Sequence, residues 1–216
     1  LVGSEMCIRD SIVLLAQNEA GWLNLMALST CLYLRDGGAL PHVTVDELEA
    51  HAEGLICLTG GPLGPVGLLV AQGRQPEARA LVERLAAAFP TRLYVELQRH
   101  HDAEGRPLPE EQAAEGGMID IAYDLGLPLV ATNDVYFPKS DLYAAHDALI
   151  CISERAYVDQ TAPRRRLTPQ HYFKSQAEMA TLFADLPEAI ENTVEIARRC
   201  AFAVSKRKPI LPRFAD

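Results

Sequence analysis

Short apolar runs and longer amphipathic stretches take turns along this chain. The apolar runs have the length and composition of buried strands, and the stretches between them place apolar residues at helical spacing. The strands are predicted at residues 12–16, 55–59, 93–98 and 129–131. This βαβ alternation continues to about residue 150. It predicts a parallel sheet or barrel covered by helices, and therefore the α/β fold class.

The ends of several helices are marked by recognisable capping residues. Thr44 with Glu47, and Ser175 with Glu178, have the spacing of capping boxes. The first of these opens a helix through His51, and Ser140 is predicted to cap another. The remaining helices are predicted over 21–34, 76–88, 109–125, 140–148 and 187–200. The last third of the chain is therefore mostly helical, and the glycine-rich segment 60–65, which lacks lysine, is predicted to be a loop rather than a Walker motif.

Composition narrows the class of protein. The chain has 216 residues, a formal net charge of -9 and five scattered cysteines without CxxC spacing. The acidic balance argues against a module dedicated to coating nucleic acid, and the cysteines are typical of reduced thiols in a cytoplasmic protein. The sequence contains no apolar run long enough to span a bilayer.

Polar groups follow three of the predicted strands and form the candidate site. Asp134 follows the fourth strand and is the first candidate, although Asn133 and Asp134 could equally cap a turn. In a βα barrel the strand ends converge on one rim, where Glu96, His100 and Asp134 could bind a divalent metal. No HxH or HExxH spacing is present, so this ligand set is thin for a site with two or three metals.

Several other residues have an ordinary structural interpretation. His100 and His101 are expected in a solvated loop, and His146 is expected to be structural or on the surface. The arginine run 164–166 could contact phosphate but is expected to be a solvated charged loop. Cys57 and Cys151 are predicted to be core residues.

From residue 12 to about residue 214 the chain resembles the alpha subunits of bacterial DNA polymerase III. The matching region is the later part of their PHP (polymerase and histidinol phosphatase) domain, leading into the next domain. The order and spacing of several segments carry the resemblance: LLAQNEAGWLNL at 14–25, EGLICLTGG at 53–61, YVELQRH at 94–100, VATNDV at 130–135, AHDAL at 145–149, FADLPEAIENT at 183–193 and IARRC at 196–200.

The resemblance implies a PHP-type distorted βα barrel, incomplete at the N-terminus because the family's first metal-binding strand would precede residue 12. It divides the chain into 1–11, an unmatched segment of foreign origin, 12–155, a partial PHP domain, and 156–216, the end of that domain and the helical start of the polymerase region. The family's polymerase carboxylates, which hold Mg²⁺ for nucleotidyl transfer, would lie beyond this chain. DNA would be bound there, and the implied partners are a separate proofreading exonuclease and other replicase subunits.

Two departures from the family pattern predict that the PHP metal site is degraded. Members that keep the metal cluster have cysteine where this chain has Gly61, and histidine where it has Tyr136. A neutral phenol is a poor replacement for imidazole as a metal ligand. The fragment is therefore expected to bind no metal itself and to have a structural and docking role. Two alternatives are an active PHP metallophosphoesterase, acting as a 3′–5′ exonuclease or on small molecules, and a stand-alone interaction module.

Overall fold

A computed structural model describes residues 11–34, 41–102 and 104–206. Three features predicted from the sequence fall on other residues. They are the unmatched segment up to residue 10, the end of the first helix at residues 36–38 and the basic tail after residue 206.

Four strands form one sheet in the order β1-β2-β3-β4. The strands are β1 (Val13–Ala16), β2 (Leu55–Leu58), β3 (Leu93–Gln98) and β4 (Leu129–Thr132). β2, β3 and β4 are parallel, as predicted, whereas β1 runs antiparallel to β2. Parallel pairing brings the carboxyl ends of β2, β3 and β4 to the same edge of the sheet.

Helices fill most of the remaining described chain. They are α1 (Glu19–Tyr33), α2 (Val45–Ala50), α3 (Pro65–Ala71), α4 (Gln75–Ala88), α5 (Pro109–Asp124), α6 (Tyr143–Glu154), α7 (Gln176–Leu182) and α8 (Pro187–Arg199). Single 3₁₀ turns occur at Gly61–Leu63 and Ser140–Leu142. After β4 the described residues form no further strand, which confirms the predicted helical segment.

The predicted helix starts are mostly right. Both capping boxes are formed, with the Thr44 and Ser175 hydroxyls accepting the backbone N–H of Glu47 and Glu178. The prediction for Ser140 is wrong, because this residue begins a 3₁₀ turn and its hydroxyl caps no helix. The prediction of a loop after β2 missed α3, whose first helical residue is Pro65. Proline fits this position because the first turn of a helix leaves its N–H groups unpaired.

The two faces of the sheet are buried by different helices. The larger core contains Leu55, Cys57 and Val95 from the strands, packed with side chains of α3, α4 and α5. On the opposite face Ile56, Tyr94 and Val130 pack with Ile196 of α8. Alternate strand residues therefore point to opposite cores, as expected for a sheet covered on both sides.

The helical segment is joined to this body by its core side chains. Phe183 and Ala189 are fully buried in the larger core, and the Asn192 side chain donates a hydrogen bond to the Leu129 carbonyl of β4 at 2.8 Å. These contacts confirm the α/β fold class with helices packed on both faces. In the part of the chain that is described, no helix is long and apolar enough to cross a membrane.

Candidate functional site

Glu96, near the end of β3, lies at the centre of the strand-end cluster. Its carboxylate accepts hydrogen bonds from the Gly60 backbone N–H at 2.9 Å and from the Thr132 hydroxyl at 2.6 Å. The Glu96 N–H in turn donates to the Thr59 hydroxyl oxygen. One buried carboxylate therefore connects the ends of β2, β3 and β4.

Burial raises the pKa of Glu96, while the hydrogen bonds from Thr132 and Gly60 oppose that rise. The donors stabilise the charged form in a place where water does not reach it. Both carboxylate oxygens are therefore already engaged within the protein.

The backbone after β2 turns sharply at two glycines. Gly60 and Gly61 both have positive φ angles, 86° and 64°. A Cβ atom on Gly61 would come within 2.9 Å of the Gln98 side chain. The position at which the resemblance placed a lost cysteine ligand is thus occupied by a residue whose backbone disfavours any side chain.

His100 is held by a buried carboxylate. The His100 backbone N–H donates to Glu111 at 2.7 Å, and the His100 Nδ1 atom lies 2.7 Å from the other oxygen of Glu111. His100 is only 2% exposed, so its prediction as a solvated loop residue is wrong, while His101 is half-buried. The Nε2 atom of His100 is buried without a hydrogen-bond partner among the described residues.

The His100 ring stacks on the His171 ring, with 4.0 Å between centroids and 7° between planes. Burial lowers the pKa of each imidazole to about 4, and burial raises the pKa of Glu111 to about 7. Both rings are therefore neutral at neutral pH, which is the condition for two imidazoles to stack at this distance without repulsion.

Tyr136 lies between this stack and the helical segment. Its ring makes tilted contacts with His171 and with His146 of α6, at centroid distances of 6.0 and 5.6 Å. The Arg165 guanidinium lies 5.6 Å from the Tyr136 ring centroid and donates to the Tyr136 hydroxyl at 3.3 Å. His146 is half-buried in this aromatic cluster, which agrees with the structural role predicted for it.

Asn133 and Asp134 follow β4, as predicted, but they have different surroundings. The Asn133 side chain donates to the Tyr172 carbonyl at 2.7 Å and accepts from Lys174 Nζ at 3.0 Å. Asp134 is half-buried, and its negative charge contributes to the raised pKa of Glu96 and of Tyr136. Asp134 therefore lies near both, within the rim predicted from the sequence.

The donor set does not fit a metal cluster. No group of three or more His, Cys, Asp and Glu side chains that could hold a metal ion occurs in the described residues. The Glu96 oxygens accept hydrogen bonds from neutral donors, and two cationic side chains, Arg165 and Lys174, lie at the rim. A fixed cation next to the site disfavours a second, divalent one by Coulomb repulsion.

Sequence reasoning identified the strand-end residues and missed the groups that surround them. Glu96, His100, Asn133, Asp134 and Tyr136 do lie on one side of the sheet edge. Four residues that contact them were not predicted: Glu111, Arg165, His171 and Lys174. They come from α5 and from the chain after α6, and no local pattern connects them to β3 or β4.

Comparison with known proteins agrees with this geometry. The family model described as the PHP domain matches residues 1–100. The chain is 54% identical over 206 residues to DNA polymerase III subunit alpha of Caulobacter vibrioides. It is 42% identical over 206 residues to that of Rickettsia bellii, and 42% over 205 residues to that of Pseudomonas fluorescens. Each alignment covers 94% of this chain and 17% of the relative.

The α/β fold and the matched model define the class of this structure, which is a PHP domain. The chain belongs to the family of DNA polymerase III alpha subunits and spans 17% of the length of the relatives that it matches. The resemblance inferred from the ordered sequence motifs is thereby confirmed.

Proposed function

We propose that this chain is a segment of a replicative DNA polymerase III alpha subunit whose complete form carries out template-directed DNA synthesis. The identity of 54% over 206 residues with a protein of that name is the observation that carries the proposal. Catalysis would depend on Mg²⁺ held by carboxylates in the part of the relatives that this chain does not span. DNA would be bound in that part too.

Within this chain we infer that the PHP metal site is degraded. Gly61 and Tyr136 stand at the two lost ligand positions, and Asp134, Glu96, His100 and Asn133 remain at the rim. The support comes from the local chemistry. Glu96 is fully hydrogen-bonded inside the protein, and the Tyr136 hydroxyl accepts from a guanidinium rather than facing a metal.

The remaining role of this domain is structural. It would support the polymerase region and dock a separate proofreading exonuclease together with other replicase subunits, in the cytoplasm. The boundary at residue 155 stays a prediction, as does the foreign origin of residues 1–11. Phe183 and Ile196 share cores with the strands, which supports placing much of 156–216 at the end of the PHP domain.

The experiment is to express the complete protein that contains this chain and to assay it for two activities. Primer extension with Mg²⁺ is expected, and phosphoesterase activity with Mn²⁺ or Zn²⁺ is not. Absence of primer extension would contradict the polymerase assignment. Hydrolysis of a DNA 3′ end that disappears in Asp134→Ala would instead support an active PHP phosphoesterase.

The docking role has a separate test. Affinity purification of the complete protein from its own cells should recover a 3′–5′ exonuclease as a distinct polypeptide. Recovery of polymerase activity with no associated exonuclease would count against docking and would leave the polymerase assignment intact.

A further inference from the structure

The run of three arginines at 164–166 does not behave as one solvated stretch. The Arg164 guanidinium donates to both Asp147 oxygens at 2.6 Å, and its side chain is 3% exposed. The prediction of a solvated charge run is therefore wrong for Arg164. It anchors the loop on α6 and leaves Arg165 and Arg166 exposed.

The exposed arginines of this loop lack the acidic partners that arginines elsewhere in the chain have. Exposed arginines outside the loop commonly pair with carboxylates, as Arg74, Arg79, Arg84 and Arg106 do. In the described ranges Arg155, Arg165 and Arg166 form no ion pair with a carboxylate. Arg166 donates to the Val158 carbonyl at 3.1 Å, and Arg165 contacts Tyr136. Positive charge is therefore concentrated here although the chain as a whole is acidic.

Exposed aromatic rings lie beside these cations. Tyr157 is 75% exposed and Phe173 is 72% exposed. Tyr157 is adjacent to Val158, the residue that Arg166 contacts, and the Phe173 N–H donates to the Phe137 carbonyl next to Tyr136. Arg155, Tyr157, Arg165, Arg166 and Phe173 therefore form one surface, which we call the arginine–aromatic face.

Acidic groups limit the attraction of this face for anions. Asp147 is neutralised by Arg164, but Glu154 and Asp159 are exposed on the same segment, Asp134 lies near Tyr136, and Glu178 binds the Tyr172 hydroxyl. Charge alone would thus give weak binding. The large exposed rings add an attraction that does not depend on charge.

We propose that the arginine–aromatic face binds single-stranded DNA. Guanidinium groups contact phosphates, and unpaired bases stack on aromatic rings without sequence preference. Duplex DNA offers phosphates but no free base faces, and an acidic peptide offers carboxylates without planar bases. The exposure of Tyr157 and Phe173 is the feature that distinguishes the proposed ligand. The proposal does not rest on the polymerase assignment, because it uses only contacts within this chain.

The test measures fluorescence anisotropy of a labelled oligothymidylate, of about 16 nucleotides, titrated with the 216-residue chain. Binding with a dissociation constant of about 1–100 μM is expected in about 50 mM salt. The Arg165→Gln/Arg166→Gln variant should make the salt dependence shallower by about 1.4 in log–log slope, since each lost phosphate contact on a single strand removes about 0.7. Arg74→Gln/Arg106→Gln, with the same change in charge at paired exposed arginines, should leave that slope unchanged.

The aromatic part of the face is tested separately. Tyr157→Ala and Phe173→Ala should each weaken binding by about 5- to 150-fold, the range for loss of one stacked base. All variants should retain the wild-type circular dichroism spectrum, because the substituted side chains are exposed. Photocrosslinking of a bromodeoxyuridine oligonucleotide to the complete protein should also label residues 156–174.

Three results would overturn the proposal. Duplex DNA or polyglutamate could bind as tightly as the single strand, which would show attraction by charge without stacking. The alanine variants could bind as tightly as wild type. The crosslinks in the complete protein could all fall outside residues 156–174, which would place the binding elsewhere.

Discussion

Glu111→Gln is the substitution that best tests the electrostatics of the strand-end site. Glu111 is 4% exposed and lies within 2.7 Å of both the His100 N–H and its Nδ1 atom. Glutamine has nearly the same shape and keeps one carbonyl oxygen for the His100 N–H, but it cannot ionise. The substitution therefore removes the titration of Glu111 while it preserves the packing.

The direction of the pH effect follows from the raised pKa. Burial raises the pKa of Glu111 from 4.5 to about 7, so the folded protein binds this proton more tightly than the unfolded chain. The resulting stabilisation is fully present below pH 4.5 and is lost as the pH rises through 7. Between pH 5 and 8.5 the wild type should lose about 2–3 kcal/mol from this group, since each pKa unit is worth about 1.4 kcal/mol.

The assay is urea unfolding of wild type and variant at pH 5, 7 and 8.5. The histidine titrations are common to both proteins, so the difference between their free energies of unfolding isolates Glu111. That difference should shift by about 2–3 kcal/mol in favour of Glu111→Gln as the pH rises. Glu110→Gln, at an exposed neighbouring residue of the same helix, is the control and should follow the wild type. Parallel pH profiles for Glu111→Gln and wild type would refute the argument.

Three further substitutions test the packing around this site. Arg99→Lys should destabilise the fold by about 2–4 kcal/mol in urea unfolding, because lysine cannot reproduce the paired hydrogen bonds of Arg99 to Glu115 and Asp185; unchanged stability would contradict this. Thr91→Gly should raise the free energy of unfolding by about 1 kcal/mol, because Thr91 has a φ angle of 60°, and a loss of stability would show that this conformation carries no strain. Asp147→Asn should cost about 3–5 kcal/mol by leaving the Arg164 charge buried without its anion, measured as a lower urea midpoint; a midpoint equal to wild type would show that the charge is solvated.

Much of the fold could be predicted because its signals are local. The bounds of β3 follow directly from an apolar run, and the two capping boxes depend on residues three positions apart. α3 was missed because Gly64 and Pro65 are typical of loops, although they also suit the start of a helix. Gly67 then permits a close approach, since a Cβ atom there would lie 2.5 Å from the Gly61 carbonyl oxygen. The antiparallel direction of β1 had no local signal either, because it depends on chain connections rather than on strand composition.

The candidate site could be predicted only in part. Strand-end residues are found from the sequence because parallel strands bring their carboxyl ends together, which correctly grouped Glu96 with Asn133 and Asp134. The partners that decide the chemistry come from distant segments. His171 lies 71 positions after His100, and Arg165 reaches Tyr136 across 29 positions, so only the folded structure reveals their neutral stack and fixed cation.

The central inference is that this PHP domain has lost its metal site, and metal analysis tests it most directly. The complete protein would be equilibrated with Zn²⁺ or Mn²⁺, desalted and analysed for metal, alongside Asp134→Ala. The predicted result is metal content well below one equivalent and equal in both proteins. Stoichiometric metal in the wild type that is lost in Asp134→Ala would contradict the inference and restore Asp134 as a ligand.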